Sequence, residues 1–411
     1  MRKFARLMAV GGALGTAIWA VPAITQQAAT PPIARYTVDA GTLSGMAAMA
    51  GGRPDMMALM RGRGGGPQHE LRLRLGSSRK PADAPVADHF MPAGAGLGAS
   101  VALVTPVREP VPEAPTGFEM PKGKLYLFWG CGEHAPAGQP VVIDLAKLAR
   151  GQVPPDLYAS GIDLPGDWTI TPANSVTYGE WPNGRDHKAV SAAASLLGAH
   201  RVAGNFAPEI AFPLNRDFMP PLQLRSQALP SGAWSVSWTG LPEATGYYAW
   251  AMGAKDMGRG GANEMVWWTS AATRQFGGTL WDWVSPGAAA RLVAAKTAMA
   301  PGQTSCTVPA EVRQLGGEML MLNLTAYGPQ SDFAYPPRHA NARLAWKPEW
   351  IARVRFRSRA MVMLGMPDMS GMGAGDSADQ DRGSTSQPQS GKPKCSKGLK
   401  GMAMRAAGRC E

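Results

Sequence analysis

The chain is poor in charge, in cysteine and in long apolar runs, and each shortage closes off a class of protein. Charged side chains make up 17% of its 411 residues, against about 25% in ordinary soluble domains, which argues against long solvated helices. The four cysteines, Cys131, Cys306, Cys395 and Cys410, never form a C-x-x-C pair. A thioredoxin-like redox site and the usual structural zinc sites therefore lack their ligands. H-E-x-x-H, G-x-S-x-G and Walker phosphate loops are absent, which removes common protease, hydrolase and nucleotide-binding signatures. Ser77 and Lys80 satisfy S-x-x-K, but in a basic turn without the companion motifs that such a nucleophile needs. No zinc finger, basic zipper or aromatic-and-basic RNA motif occurs, so nucleic acid is not an expected partner.

What is present begins at the N-terminus. Arg2, Lys3 and Arg6 precede an uncharged run over 7–20, followed by Val21, Pro22 and Ala23, the pattern of a secretory signal cleaved after Ala23. The expected location is the periplasm or the extracellular space. No later segment approaches roughly 18 apolar residues, so no integral membrane span is expected after cleavage. The formal net charge is +11, and loss of the signal leaves it at about +8. A basic exported chain can associate with anionic lipid, polysaccharide or cell wall.

Glycine (50) and proline (36) together supply about a fifth of the sequence, which points to ordered β modules with disordered ends. The expected division is 1–23 signal peptide, 24–66 flexible Gly/Met/Pro-rich segment, 67–217 β-rich domain, 218–365 β-sandwich, and 366–411 disordered Met-rich and basic tail. A local disulfide between Cys395 and Cys410 is the favoured pairing, leaving Cys131 and Cys306 paired or as buried thiols.

Period-two alternation recurs through the middle of the chain. Leu71, Leu73 and Leu75 face one way, Arg72 and Arg74 the other. Strands are expected over 124–129, 141–143 and 209–212. A second series follows with Trp234, Val236 and Trp238, then Tyr248, Trp250 and Met252, then Met265 and Trp267, 305–308, and Leu320, Leu322, Leu324 and Ala326. Ser285 and Pro286 read as the cap and first turn of a short helix. In 353–359, Val354 and Phe356 share a face opposite Arg353, Arg355, Arg357 and Arg359. That pattern reads either as an exposed strand whose charges discourage edge-to-edge association or as an anion-binding surface.

Trp238 closing one strand, the turn containing Ala244, Thr245 and Gly246, Tyr248 in the next strand and the later stretch 322–327 resemble a fibronectin type III module over about residues 218–340. The resemblance implies a β-sandwich used as a spacer or binding module, and implies no catalytic residues. The expected fold class is mainly β: tandem β-sandwich modules of immunoglobulin or fibronectin type III kind, with a short helical insertion and disordered ends.

Three groups carry possible chemistry. Cys131, Glu133 and His134 crowd a turn at a strand end, where Glu133 could act as a base or His134 as a ligand; with Asp186 they would define an envelope enzyme. Met366, Met369 and Met372 resemble the Met-rich stretches of periplasmic copper-handling proteins, with a second group from Met46 to Met60, and thioethers suit Cu(I). Trp181, Trp281 and Trp283 fall in or near loops, where their rings could stack on a glycan. The leading expectation is an exported non-enzymatic envelope protein, a β-sandwich binding or structural module using its tryptophans or arginines on a glycan, an anionic envelope component or a protein partner. No cofactor is expected on this reading; copper belongs to the alternative.

Overall fold

The computed structural model describes residues 31–50, 66–106, 123–145, 147, 152, 169–258, 261–341 and 344–365. The expected signal sequence, Met366, Met369 and Met372, and the Cys395 and Cys410 pair lie outside the described residues.

The described chain is mainly β. Its strands are β1 (Ala34–Gly45), β2 (Gln68–Ser77), β3 (Ala87–Phe90), β4 (Ser100–Ala102), β5 (Lys124–Trp129), β6 (Val141–Asp144), β7 (Thr177–Trp181) and β8 (Gly198–Gly204). They continue with β9 (Ile210–Leu214), β10 (Leu224–Ala228), β11 (Trp234–Trp238), β12 (Gly246–Gly258), β13 (Gly261–Thr269), β14 (Ser305–Val308), β15 (Leu320–Tyr335) and β16 (Trp350–Leu364). Helices α1 (Met46–Ala50), α2 (Pro286–Ala294) and α3 (Ala310–Gly316) are short.

One nine-stranded sheet runs in the order β6-β5-β13-β12-β15-β16-β1-β2-β7. A four-stranded sheet, β4-β3-β8-β9, and a three-stranded sheet, β10-β11-β14, pack against the same face of it. Alternation explains that face. Leu71, Leu73 and Leu75 of β2, Tyr36, Val38 and Ala40 of β1, and Val354 and Phe356 of β16 join Val202, Ile210, Phe212, Val236 and Val308 from the smaller sheets in one apolar cluster. Each fully buried Leu or Val there contributes about 1.5–3 kcal/mol.

The opposite, outer face is roofed in its middle by the stretch leading into α2. The Ser285 side chain accepts from the Ala288 N–H, with Pro286 at the first helical position, as the sequence predicts. Leu280, Val284, Ala288 and Leu292 settle on Tyr248 and Tyr327, and the Tyr327 hydroxyl donates to the Leu280 carbonyl at 2.7 Å.

Two expectations are corrected by this architecture. Residues 34–45 were expected within a flexible segment, yet they form β1, an interior strand paired parallel to β16 and antiparallel to β2. Because both faces of β1 are covered, its sequence lacks the alternation that marks a half-exposed strand. Its Gly41 is needed, since a Cβ there would run into the Glu70 side chain. The nine-stranded sheet also crosses the boundary expected at 217/218, joining β1, β2, β5 and β7 to β12, β13, β15 and β16. The consecutive strands β11 and β12 lie in different sheets, linked by a turn in which the Leu241 N–H donates to the Tyr247 hydroxyl at 2.8 Å.

Candidate functional site

The turn holding Cys131, Glu133 and His134 is fastened to the β14–α3 segment at several points. Cys131 is bridged to Cys306, with Cα atoms 5.2 Å apart. The Ala310 N–H donates to the Glu133 carbonyl at 3.0 Å, and the Gly132 N–H to the Thr307 carbonyl at 2.9 Å. Glu311 of α3 meets His134 Nδ1 at 3.0 Å and accepts from the Ala135 N–H at 3.0 Å. Burial alone would raise the Glu311 carboxyl, but the Ala135 N–H and His134 outweigh it and hold it below the usual carboxylate range. Asp186 is engaged elsewhere, with Lys188 at 3.2 Å. Glu133 is held through its backbone carbonyl, His134 and Asp186 have separate partners, and the cysteine sulfur is in a disulfide.

The tryptophans divide. Trp181 is 1% exposed and Trp283 4%, whereas Trp281 is 41% exposed. Trp181 ends β7 opposite Leu73, inside the apolar cluster. The Trp281 ring leans on Trp250 and Trp267, with centroids 5.6 and 5.5 Å away. Trp283 is locked over the sheet: its indole N–H donates to the Ala40 carbonyl at 3.3 Å, and the Arg357 guanidinium lies 3.4 Å from its ring centroid.

The arginine strand is corrected in position. β16 is an interior strand between β15 and β1, and the stretch through Trp281 and Trp283 covers part of its arginine face. Arg355 grips Asp39 at 2.7 and 3.0 Å and donates to the Trp283 carbonyl at 2.8 Å. Arg357 holds Glu70 at 3.0 and 2.8 Å and the Trp281 carbonyl at 2.8 Å. Arg353 pairs with Asp332 at 2.7 Å. At Arg353, Arg355 and Arg357 the expected exposed positive face is instead a row of ion pairs, because β15, β1 and β2 bring Asp332, Asp39 and Glu70 alongside.

A polar chain assembled from residues far apart in sequence crosses the inner face. The Tyr36 hydroxyl meets His89 Nδ1 at 2.7 Å, and His89 Nε2 meets His200 Nδ1 at 3.0 Å. His200 Nε2 then faces the Leu196 carbonyl at 2.6 Å. A carbonyl only accepts, so His200 Nε2 carries the proton; its Nδ1 accepts from His89 Nε2–H, and His89 Nδ1 accepts from Tyr36. All three side chains are buried. Burial lowers the pKa of both histidines, His89 well below 6.5, and His200 lowers that of His89 further. Both rings are thus neutral and every polar ring atom of the two is used.

Comparison with protein-family models and with curated proteins gives no match. The site must be read from its geometry.

An open cleft of roughly 1730 Å³ lies at one end of the nine-stranded sheet. The first residues of β1 and β16 and the last of β15 meet β9 there. Phe212 stacks on Phe333 with centroids 4.8 Å apart, and Tyr335, 53% exposed, stacks on Trp350 at 6.4 Å. Trp346 donates to the Pro336 carbonyl at 3.1 Å and lies 5.4 Å from the Arg338 guanidinium. Arg35, Arg353, Asp332 and Asn174 complete the polar lining. Ser77, which also lines it, is committed to the Phe206 carbonyl at 2.5 Å. Flat apolar rings set among guanidinium forks form a surface for holding a ligand. Of the arginines and tryptophans singled out by sequence for binding, Arg353 lies here, and Trp281 is exposed elsewhere, on the outer face.

Proposed function

We propose that this chain is an exported, non-enzymatic binding module of the cell envelope, and that its ligand lies in the cleft walled by Tyr335, Trp346 and Trp350. The observation that carries the reading is the half-exposed Tyr335 ring, backed by Trp350 and bordered by Arg35, Arg338 and Arg353. The N-terminal charge and apolar pattern supports export. The fastening of Cys131 and His134 to β14 and α3 supports a structural role for that turn rather than a catalytic one.

The test uses the full chain, purified from the producing cells and titrated with a soluble envelope polysaccharide fraction while tryptophan fluorescence is followed. Tyr335→Ala is expected to weaken binding about tenfold, in keeping with loss of a stacking platform worth about 1.5 kcal/mol. Trp281→Ala is expected to leave it unchanged. Equal binding by wild type and Tyr335→Ala would exclude the cleft. An intact mass beginning near Ile24 is expected for the recovered protein, and retention of residues 1–23 would contradict export with cleavage.

A further inference from the structure

We propose that the outer face of the nine-stranded sheet binds a soft monovalent metal ion, Cu(I), through the thioethers of Met252, Met321 and Met363. The site lies at the opposite ends of β15 and β16 from the cleft and is independent of it. Strand register builds it. On β15, Leu320, Leu322, Leu324 and Ala326 fill the inner apolar cluster, so Met321 projects from the outer face. Met321 is paired with Met252 of β12 on one side and with Met363 of β16 on the other, which sets three methionines abreast on neighbouring strands. Directly opposed Cβ atoms stand about 4.5–5.5 Å apart, and the unbranched Met side chain turns about three bonds, so the two flanking sulfurs can swing in over the middle one. All three side chains are partly exposed, which leaves the thioethers open to an incoming ion.

Donor chemistry selects the ion. Thioether sulfur is a soft donor that suits Cu(I), whereas Mg(II) and Ca(II) take oxygen. Among the described residues no three His, Cys, Asp or Glu side chains come together as a metal-holding group, and Cys131 and Cys306 are joined to each other, which leaves thioether as the soft donor at hand. Arg359, on the same face of β16 as Met363, opposes a divalent ion more strongly than a monovalent one. Two neighbours favour a bound cation. Trp267 continues the row opposite Met252, and the face of an indole attracts a cation. In the adjoining row Asn323 lies between Trp250 and Met361. It is 1% exposed, yet neither its amide oxygen nor its amide nitrogen has a hydrogen-bond partner. A buried amide in that state is costly, and a water ligand of the ion would engage it.

The experiment titrates the full chain, without oxygen, with Cu(I) held by the chromogenic chelator bicinchoninate, and follows the loss of the chelate's colour. Wild type should withdraw a tight equivalent. Leucine keeps the apolar volume and removes the sulfur at little cost to folding. Met321→Leu and Met363→Leu should each weaken Cu(I) at least about tenfold, while Met366→Leu, Met369→Leu and Met372→Leu together should leave the tight equivalent in place. Zn(II) should not displace it. A second measurement needs only the wild-type chain: Ag(I), a soft ion of the same charge, should shield Met321 and Met363 from oxidation by peroxide, read by peptide mass. Loss of the copper in the tail variant, with the row intact, would move the metal to the tail and overturn this site. Unchanged affinity in both Met321→Leu and Met363→Leu, competition by Zn(II) at equal strength, or no protection by Ag(I) would each overturn it, as would a wild-type chain that withdraws no copper.

Discussion

Among the buried polar residues of strand β1, two that lie three positions apart solve the same problem in opposite ways. Tyr36 points to the inner face and joins two neutral histidines from the four-stranded sheet. Asp39 points to the outer face as a carboxylate between Arg355 of β16 and Arg74 of β2. On the inner face no charge has to leave water, and the chain ends on a carbonyl, so each hydrogen bond has one direction. On the outer face the charges need each other. The inner network is therefore vulnerable to protons and the outer one to loss of a partner.

The largest expected effect breaks the outer side. Asp39→Ala leaves Arg355 and Arg74 without their shared counter-charge and should lower stability by about 3–5 kcal/mol in denaturant unfolding. A loss below about 1 kcal/mol would mean that water already neutralises this row as it does an exposed pair.

The next sharpens the inner side through pH. The folded-state pKa values of His89 and His200 lie below 6.5, so the unfolded chain binds protons that the folded chain refuses. Their neutral chain is intact above about pH 6.5, and stability should fall as pH drops below that value, by up to about 1.4 kcal/mol per pH unit for each histidine. His89→Gln removes one titrating ring, and the acid-side slope measured by unfolding at a series of pH values should shrink by about one proton. An unchanged slope would assign acid sensitivity to other groups.

The smallest effect separates side chain from backbone on the outer face. Arg357 is held by the carbonyl of Trp281 rather than by its ring, so Trp281→Ala should cost about 1 kcal/mol, the value of its aromatic contacts. A loss several-fold larger in thermal unfolding would show that the ring itself roofs the ion pairs.

Much of the fold was legible wherever one face of a strand is buried and the other is not. Leu71, Leu73 and Leu75 against Arg72 and Arg74, and Trp234, Val236 and Trp238 against their serines, report their sheets through alternation alone. The Ser285 cap with Pro286 located α2 for an equally local reason. β1 was hidden because burial on both faces erases alternation, so it passed as part of the Gly/Met/Pro-rich stretch read as linker. The arginine strand was recognised and its surroundings were not, since Asp39 lies 316 residues from Arg355 in sequence and Glu70 287 from Arg357. The same holds for His89 and His200, 111 residues apart. The cleft left one local trace, the pair Pro336 and Pro337 set between Phe333, Tyr335, Trp346 and Trp350. Aromatics flanking a double proline mark a place where the chain turns while presenting rings, and only the meeting with β9 makes that a concavity.

The parallel pairing of β1 with β16, from Ala34 opposite Trp350 to Gly45 opposite Met361, also sets the order in which the molecule can be finished. β1 leaves the ribosome early and finds β2 soon after, but its other edge has no strand to meet until nearly the whole described chain has been made. An unfilled edge is an invitation to the wrong neighbour for as long as it stays open, and closing it late is slow because the contacts span almost the full length. A message that ends before the codons of β16 would therefore not yield a shorter version of this protein. It would yield a chain whose central seam has only one side.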